Sequence, residues 1–415
     1  MLKLWNKLGL VSRLVIAILL GVIVGQLPIT SKFLVQVLVT LGGVFSNFLN
    51  FIIPFMILGF VVKGIADLSN GAGKLLGLTA LTAYCSTVVA GTLAYLVAIN
   101  LFPHFITGDL VKKISASSNT LQAFFEIKMP PFFDVTGAII FAFMVGLGIS
   151  FLRSQGKGQV LYEGFSDFGD IIVKVLDTII IPLLPAYIFC NFVSMSYSGS
   201  VFSILSIFWK VFLVVLALHL LYISGLFILA GTFTRKNPIR LIKNQIPGYM
   251  TAIGTQSSAA TIPVNVECGL KNGVSEEIAN FVVPLCATIH LAGSMITITS
   301  CSTTLLLMYN MPHNFSMMLG FILMLGIAMV AAPGAPGGAI MSALPFLPMI
   351  GITTQAMQQL MISLYITQDS FGTAANVSGD NAIAVFVDKI YHSKIKVQGN
   401  AKEEKKALKI WKKSA

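Results

Sequence analysis

Hydrophobic residues fill long runs near 9–27, 33–62, 75–102, 135–152, 171–195, 201–234, 278–308, 315–350 and 353–387. These runs lack the period-two alternation of short membrane-barrel strands, so the pattern predicts helices. A run such as Phe33–Val62 exceeds the roughly 20 residues that cross a bilayer perpendicularly, and must tilt, bend or extend past the hydrocarbon. Two stretches differ inside. Asn237–Glu267 is interrupted by Gly254-Thr255-Gln256-Ser257-Ser258-Ala259-Ala260-Thr261-Ile262-Pro263, and Phe315–Ile350 by Ala332-Pro333-Gly334-Ala335-Pro336-Gly337-Gly338. Prolines and glycines at mid-run break a helix. Each stretch therefore reads as a hairpin that dips into the membrane and returns, its irregular tip facing protein or a water-filled cavity. Each precedes a polar-rich helix: Ile278–Met308 with Thr288, His290 and Ser294, and Gly351–Val387 with Asp369 and Asp380. Hairpin-plus-helix occurring twice is the pattern of inverted repeats around a midplane site. The expected fold is an all-α polytopic membrane protein with eight transmembrane helices and two re-entrant helical hairpins.

Composition leads to the same class. Of the 415 residues, 56% are hydrophobic and 10% charged, against about 25% charged in soluble domains. From Ile278 to Gln368 there is no Asp, Glu, Lys or Arg. A soluble globule, a disordered chain and a secreted disulfide scaffold are excluded. The net charge of +11 raises the question of nucleic acid, and its placement answers it: nine lysines lie between Lys389 and Lys413. Such a tail fixes topology and touches anionic headgroups. No basic stripe with interleaved aromatics is present, so the partner is the lipid bilayer and not a nucleic acid. With a cytoplasmic N-terminus, 21 basic residues fall inside and 4 (Lys32, Lys112, Lys113, Lys128) outside. That bias predicts a multi-pass protein of the bacterial cytoplasmic (inner) membrane with both termini cytoplasmic. Met1–Arg13 resembles the basic start of a signal peptide, but no small-residue cleavage site follows Gly21–Gln26, and the segment reads as a retained first helix. Cys85, Cys190, Cys268, Cys286 and Cys301 form no CxxC pair and read as small buried hydrophobes.

The chemistry concentrates near the end of the chain. Asp369 and Asp380 stand 11 residues apart, three helical turns and one face. With Thr373 and Asn376 they follow a 4-3-4 spacing and form one polar stripe. A carboxylate inside the membrane costs on the order of several kcal/mol unless something cationic meets it. No Lys or Arg lies nearby in sequence, so the expected partner is a bound cation or a substrate amine. The plainer reading of Asp380 is a helix end facing water. His290, alone in an apolar helix, reads as a hydrogen-bonded packing residue, with a proton-titrating site as the alternative. Ser257 and Ser258 read either as caps or as hydroxyls and amides offered to an anionic group.

At these residues the chain resembles the dicarboxylate/amino acid:cation symporter family, which includes glutamate transporter homologues, neutral amino-acid exchangers and serine/threonine:sodium symporters. Ser257-Ser258-Ala259-Ala260-Thr261-Ile262-Pro263-Val264 looks like the family's serine-rich first-hairpin tip, and Gly334-Ala335-Pro336-Gly337-Gly338 like its second. Asp369 through Asp380 resembles the last-helix motif at nearly every polar position. The resemblance implies a glutamate-transporter-homologue-like fold over residues 1–387, followed by a basic cytoplasmic tail at 388–415. It implies a homotrimer with a fixed scaffold (about 9–66 and 132–197) and a transport part (about 74–103 and 201–387) that moves as an elevator. It further implies that Asp369 binds the substrate amino group, while Ser258, the first-hairpin backbone at Ser257 and Asn376 hold its carboxylate, with Ala335, Gly372 and Thr373 in the same site. One sodium site is implied at Asp380 with backbone carbonyls near Cys286, His290 and Asn376. Another is implied at Thr288 with the backbone around Met329, Val330 and Ala332. Sodium is then a co-transported ion, and no organic cofactor is implied.

Departures from the family pattern narrow the substrate. Acidic-substrate members place an arginine in the last helix or the first hairpin, and those positions here are Gly372 and Gln256. A small neutral amino acid is expected, with space at Gly372 for a side chain larger than that of serine or threonine. The family's Asn-Met-Asp in the seventh helix reads His290-Leu291-Ala292, which removes the carboxylate of a third sodium site, although Ser86 and Thr87 retain its third-helix hydroxyls. The expected activity is secondary active symport with sodium, not enzymatic turnover. A proton-coupled amino-acid carrier and a dicarboxylate carrier are the alternatives within transport, the latter opposed by Asp369, which repels a substrate lacking an amine. An intramembrane serine hydrolase using Ser257 or Ser258 with His290 is the alternative outside it, and no Gly-x-Ser-x-Gly elbow supports it. A channel fits less well, because paired hairpins suit occlusion.

Overall fold

The computed structural model describes residues 10–68, 74–106, 121–132, 135–199, 201–330, 332 and 337–395, and every regular element among them is helical. The first half comprises α1 (Leu10–Gln26), α2 (Lys32–Leu68), α3 (Lys74–Leu101), α4 (Val135–Ser154), α5 (Gln159–Val175), α6 (Ile181–Tyr197) and α7 (Val201–Thr234). The 37 residues of α2 extend about 55 Å at 1.5 Å per residue, well beyond a hydrocarbon core of about 30 Å. α5 and α6 form one continuous helix from Gln159 to Tyr197, joined by a π-turn at Leu176–Ile180. The hydrophobic run expected at 171–195 thus starts earlier, because α5 is amphipathic. Glu163, Asp167, Asp170 and Lys174 recur on its exposed face, while Gly169 and Ile172 are buried. Among the described residues, five helical spans are long and apolar enough to cross a membrane: Lys32–Lys63, Leu75–His104, Gln159–Tyr197, Ile204–Thr234 and Glu276–Met308.

The second half carries the irregular segments. α8 (Pro238–Thr255) and α9 (Ser258–Lys271) pack on each other as the first hairpin. Asn237 caps α8, its Oδ1 accepting from the amides of Ile239 and Arg240 at 2.9 and 3.3 Å, and Pro238 at the first helical position needs no amide partner. Gln256 ends α8 in the left-handed conformation at φ 54°. α10 (Glu276–Ile289) and α11 (Ala292–Met308) follow, then α12 (Phe315–Met329), α13 (Gly338–Ala343) and a 3-10 turn at Leu344–Ile350, on both of which α12 packs. The tip between α12 and α13 lies outside the described residues at 331 and 333–336, and with it Ala335. α14 (Gln355–Ile366) and α15 (Asp369–Ile390) complete the chain up to a π-turn at Tyr391–Ile395. The tail beyond Ile395 also lies outside the described residues.

Two expected single helices are each broken. The run 278–308 splits at His290 and Leu291, and the run 351–387 splits at Thr367 and Gln368. α1 packs on α6, and α2 packs on α4, α5 and α6, whereas α15 is surrounded by α7, α8, α9, α10 and α11, with α3 against α11. Close approach of α1 to α6 needs its glycines. A Cβ on Gly25 would come within 2.7 Å of the Val193 carbonyl.

Candidate functional site

The break between α10 and α11 is held open from another helix. His290 is extended (φ −114°, ψ 99°) and its amide still bonds the Cys286 carbonyl at 2.8 Å. The first amides of α11 have no intrahelical partner, as at any helix start. Asn376 of α15 supplies one, its Oδ1 accepting from Gly293 N at 2.8 Å and Ser294 N at 3.2 Å. This capping demands that the two backbones nearly touch. A Cβ on Gly293 would run into the Gly372 carbonyl and lie 2.6 Å from the Ala375 Cβ. The other end of the Asn376 amide, Nδ2, donates to Ser294 Oγ at 3.0 Å.

Asp369 opens α15 and is 4% exposed. Its Oδ1 accepts from the Tyr365 hydroxyl at 2.8 Å, and its Oδ2 from the Gly337 amide at 2.7 Å. Tyr365 also lies 3.0 Å from Ser294 Oγ. A carboxylate only accepts, so the tyrosine proton points at Asp369 and the Ser294 proton at Tyr365. Asn376, Ser294, Tyr365 and Asp369 thus form one directed chain of donors ending on the carboxylate. The Gly337 amide belongs to the second hairpin just past its tip, where the backbone is left-handed at φ 76°. Asp369 therefore joins the hairpin tip to the broken helix.

Asp380 is fully buried and does not face water. Its Oδ1 accepts from His290 Nδ1 at 2.9 Å. The other ring nitrogen, Nε2, meets Ser86 Oγ of α3 at 3.0 Å. Tyr222 of α7 donates to the Ser86 carbonyl at 2.6 Å and lies 2.8 Å from its hydroxyl. His290 is thus hydrogen-bonded on both nitrogens, as a packing histidine is, but its partner is one of the two carboxylates expected to meet a cation or an amine. Asp380 Oδ2 has no hydrogen-bond partner among the described residues. A buried, unpaired carboxylate oxygen is the feature a cation would satisfy.

The remaining expected residues divide. Thr373 is buried on the same face of α15. Ser258 is buried, while Ser257 Oγ caps α9 by accepting from Ala260 N at 3.2 Å. Thr288 lies on the exposed side of α10 with its hydroxyl on the Leu285 carbonyl at 2.8 Å. Met329 and Ala332 are buried, and Val330 packs against the cluster that contains Cys286 and Ile289, which brings the second hairpin to the end of α10. Four of the five cysteines are buried, and Cys85 is exposed.

Ser86, expected as a third-helix hydroxyl of an ion site, meets the His290 ring, and Tyr365 and Tyr222 enter the site without having been assigned to it by residue type, as does His219. Its Nε2 lies 3.0 Å from the Gly293 carbonyl and 3.1 Å from Thr297 Oγ1. A Cβ at Gly372 would face that same Thr297 hydroxyl at 3.5 Å. The sequence holds a signal for Tyr365, which stands one helical turn before Asp369, and for His219, a single imidazole in the apolar run 201–234.

Hairpins beside two broken helices, with buried carboxylates at the breaks, define a solute carrier of the discontinuous-helix type. A model of the sodium:dicarboxylate symporter family matches residues 10–390, and the chain belongs to that family. It is similar to the serine/threonine transporter SstT of Acinetobacter baumannii (strain AYE), with 27% identity over 405 residues, 94% of this chain and 98% of the relative. It is also similar to excitatory amino acid transporter 1 of Homo sapiens, with 25% identity over 300 residues, 70% of this chain and 54% of that protein.

Proposed function

We propose that the protein is a secondary active symporter that takes up a small neutral amino acid together with sodium. Membership of a sodium:dicarboxylate symporter family, and relatives named for amino-acid transport, support coupled amino-acid uptake. The observation that carries the substrate reading is Asp369. It is a buried carboxylate beside a hairpin tip, held by a tyrosine hydroxyl and a backbone amide, with no Lys or Arg between Ile278 and Gln368. An ammonium group supplies the missing positive charge, and a dicarboxylate without an amine would be repelled. Gly372 offers no cation for a second substrate carboxylate.

In this reading Asp369 meets the substrate amine. Ser258, the Ser257 backbone, Ala335, Thr373 and Asn376 surround its carboxylate, and Gly372 leaves space for its side chain. Sodium binds at Asp380 Oδ2 with carbonyls of Cys286, His290 and Asn376, and at Thr288 with the backbone of Met329, Val330 and Ala332. Helices α1, α2, α4, α5 and α6 form the scaffold of a homotrimer, and α3 with α7–α15 form the part that moves through the bilayer. Both termini are cytoplasmic in the bacterial inner membrane.

Uptake into proteoliposomes, with a panel of labelled amino acids under separate sodium and proton gradients, tests this. Sodium-driven accumulation of a neutral amino acid is the expected result. Accumulation driven only by protons, or of dicarboxylates without an amine, overturns it. Gly372→Arg should weaken neutral uptake and admit aspartate or glutamate through a bidentate carboxylate contact. Unaltered selectivity in competition assays would remove Gly372 from the substrate side chain's surroundings.

A further inference from the structure

We propose that the groove between α3 and α7 is a phospholipid site: one acyl chain lies along it, over the Ser86–Tyr222 pair that meets the His290 ring, and an anionic headgroup sits at the end marked by Arg235 and Lys389. The inference needs only that these helices cross a membrane, whichever solute the protein carries.

The groove has a volume of about 680 Å³, within the range of built ligand sites. It runs from Leu81 to Val97 along α3, about 24 Å at 1.5 Å per residue. One leaflet is half of a hydrocarbon core of about 30 Å, so a whole acyl chain fits lengthwise. The floor includes Ile296 of α11 and Ile383 of α15. The rims carry Val89 and Leu93 on one side and Leu221 and Leu229 on the other, each at least 44% exposed, so the groove opens toward hydrocarbon. Its polar groups are already engaged inside the protein. Thr82 Oγ1 donates to the Leu78 carbonyl at 2.7 Å, and Ser86 bonds both Tyr222 and His290. Water entering here would find few partners, whereas an acyl chain gains dispersion contacts along the whole floor. Gly225 of α7 widens the middle: a Cβ there would meet no atom within 4 Å.

Charge marks one end of the groove. Phe386 of α15 lines it and meets Phe233 of α7, ring centroids 4.6 Å apart. Exposed Arg235 follows Phe233 by two residues, and exposed Lys389 follows Phe386 by one helical turn. Lys236 is spent on the carbonyls of Asn272 and Gly273. Two acids at this end are engaged as well, Asp388 accepting from the amide and hydroxyl of Ser275 and Glu277 from the Tyr391 hydroxyl. The π-turn Tyr391–Ile395 packs on α3, so the lysine-rich tail begins at this same end. An apolar length closed by a basic end complements an anionic phospholipid. Its chain then keeps water off Ser86 and Tyr222, and through them off the buried His290–Asp380 pair.

Native mass spectrometry of the purified full-length protein, delipidated and then given phosphatidylglycerol or phosphatidylcholine, tests the site. Wild type should retain one phosphatidylglycerol per protomer and hold phosphatidylcholine about tenfold more weakly. Gly225→Trp, which fills the groove, should lose the retained lipid. The double variant Arg235→Gln, Lys389→Gln should keep a lipid and lose the preference for phosphatidylglycerol. Retention by Gly225→Trp equal to wild type overturns the proposal, because the lipid then lies elsewhere. Equal retention of the two lipids by wild type overturns it too, because the basic end then reads no charge. Should Gly225→Trp fail to fold, phosphatidylglycerol with a photoreactive group in its acyl chain decides on wild type. Adducts on the α3 and α7 peptides that contain Cys85 and Gly225 support the site, and adducts confined to other helices or to the tail reject it.

Discussion

Asp369 and Asp380 share one helix and one face, and both are buried, at 4% and 0% exposed, yet they are held by opposite kinds of partner. Both oxygens of Asp369 are satisfied, one of them by a backbone amide at a hairpin tip. Asp380 has one oxygen satisfied by a ring that α3 and α7 pin in place, and one oxygen with no partner. In the proposed reading the hairpin amide leaves when the hairpin opens, and the charge on Asp369 passes to an arriving ammonium group. The imidazole at Asp380 has no such exit. The difference assigns exchange to one carboxylate and permanence to half of the other.

The first hairpin reinforces the contrast. Asn265 on α9 receives Gln245 Nε2 from α8 at 2.9 Å and donates to the Val377 carbonyl of α15 at 2.9 Å. Asn381 Nδ2 reaches back to the Asn265 carbonyl at 3.1 Å. Buried amide networks of this kind fix geometry when their members are paired. The first hairpin is therefore stitched to α15 by side chains. Among the described residues, the second meets Asp369 through a single backbone amide.

The largest effect should follow from removing the exchanging charge. Asp369→Asn keeps an acceptor for Tyr365 but loses the charge proposed to meet the amine, which should weaken amino-acid binding by about 3–5 kcal/mol. Substrate titration of the purified variant measures it. Affinity equal to wild type would take Asp369 out of the site.

Asp380→Asn should act on a different ligand. The asparagine oxygen can still accept from His290 Nδ1, so the fold is kept while the charge at Oδ2 disappears. The sodium concentration needed for half-maximal substrate binding should rise, reflecting a loss of about 1.5–3 kcal/mol of charge-assisted interaction. Because linked ligands share one coupling free energy, substrate affinity at low sodium should fall with it. A sodium dependence left in place would show that no ion contacts Asp380.

How far these contrasts could be read in the sequence depends on what sets them. The hairpins were legible because Pro and Gly interrupt apolar runs at their middles, and the Asp369–Asp380 stripe because helical spacing is local. The breaks at His290–Leu291 and Thr367–Gln368 were not, since neither dipeptide contains Pro or Gly. The first break is maintained by Asn376, 83 residues from Gly293 in sequence, a tertiary cap that no local pattern encodes. The His290–Asp380 pair spans 90 residues and appears only when α10 and α15 pack. The early start of α5 was missed for a simpler reason: an amphipathic helix continues the chain direction after its hydropathy has dropped.

A smaller effect should separate steric from electrostatic roles on the permanent side. Gly379→Ala leaves every charge unchanged but drives a methyl group into the His290 ring, which is bonded at both nitrogens and cannot swing aside. Overpacking of this sort costs about 1–3 kcal/mol. A lowered melting temperature is the expected result, together with a changed sodium dependence if the ring is displaced from Asp380. A melting curve superimposable on wild type would mean that the ring has other room.

The smallest effect tests the directed chain on the exchanging side. Tyr365→Phe removes one hydroxyl that donates to Asp369 and accepts from Ser294, and it keeps the aromatic volume, so the packing around a fully buried side chain is preserved. Asp369 retains the Gly337 amide, and Ser294 retains Asn376 Nδ2 as its donor. The net loss should be about 1 kcal/mol, the usual worth of one hydrogen bond, and it should appear as weaker amino-acid binding with the sodium dependence left as in the wild type. If the effect fell on sodium instead, Tyr365 would belong with Asp380, and the separation of the two carboxylates into an exchanging and a permanent site would fail.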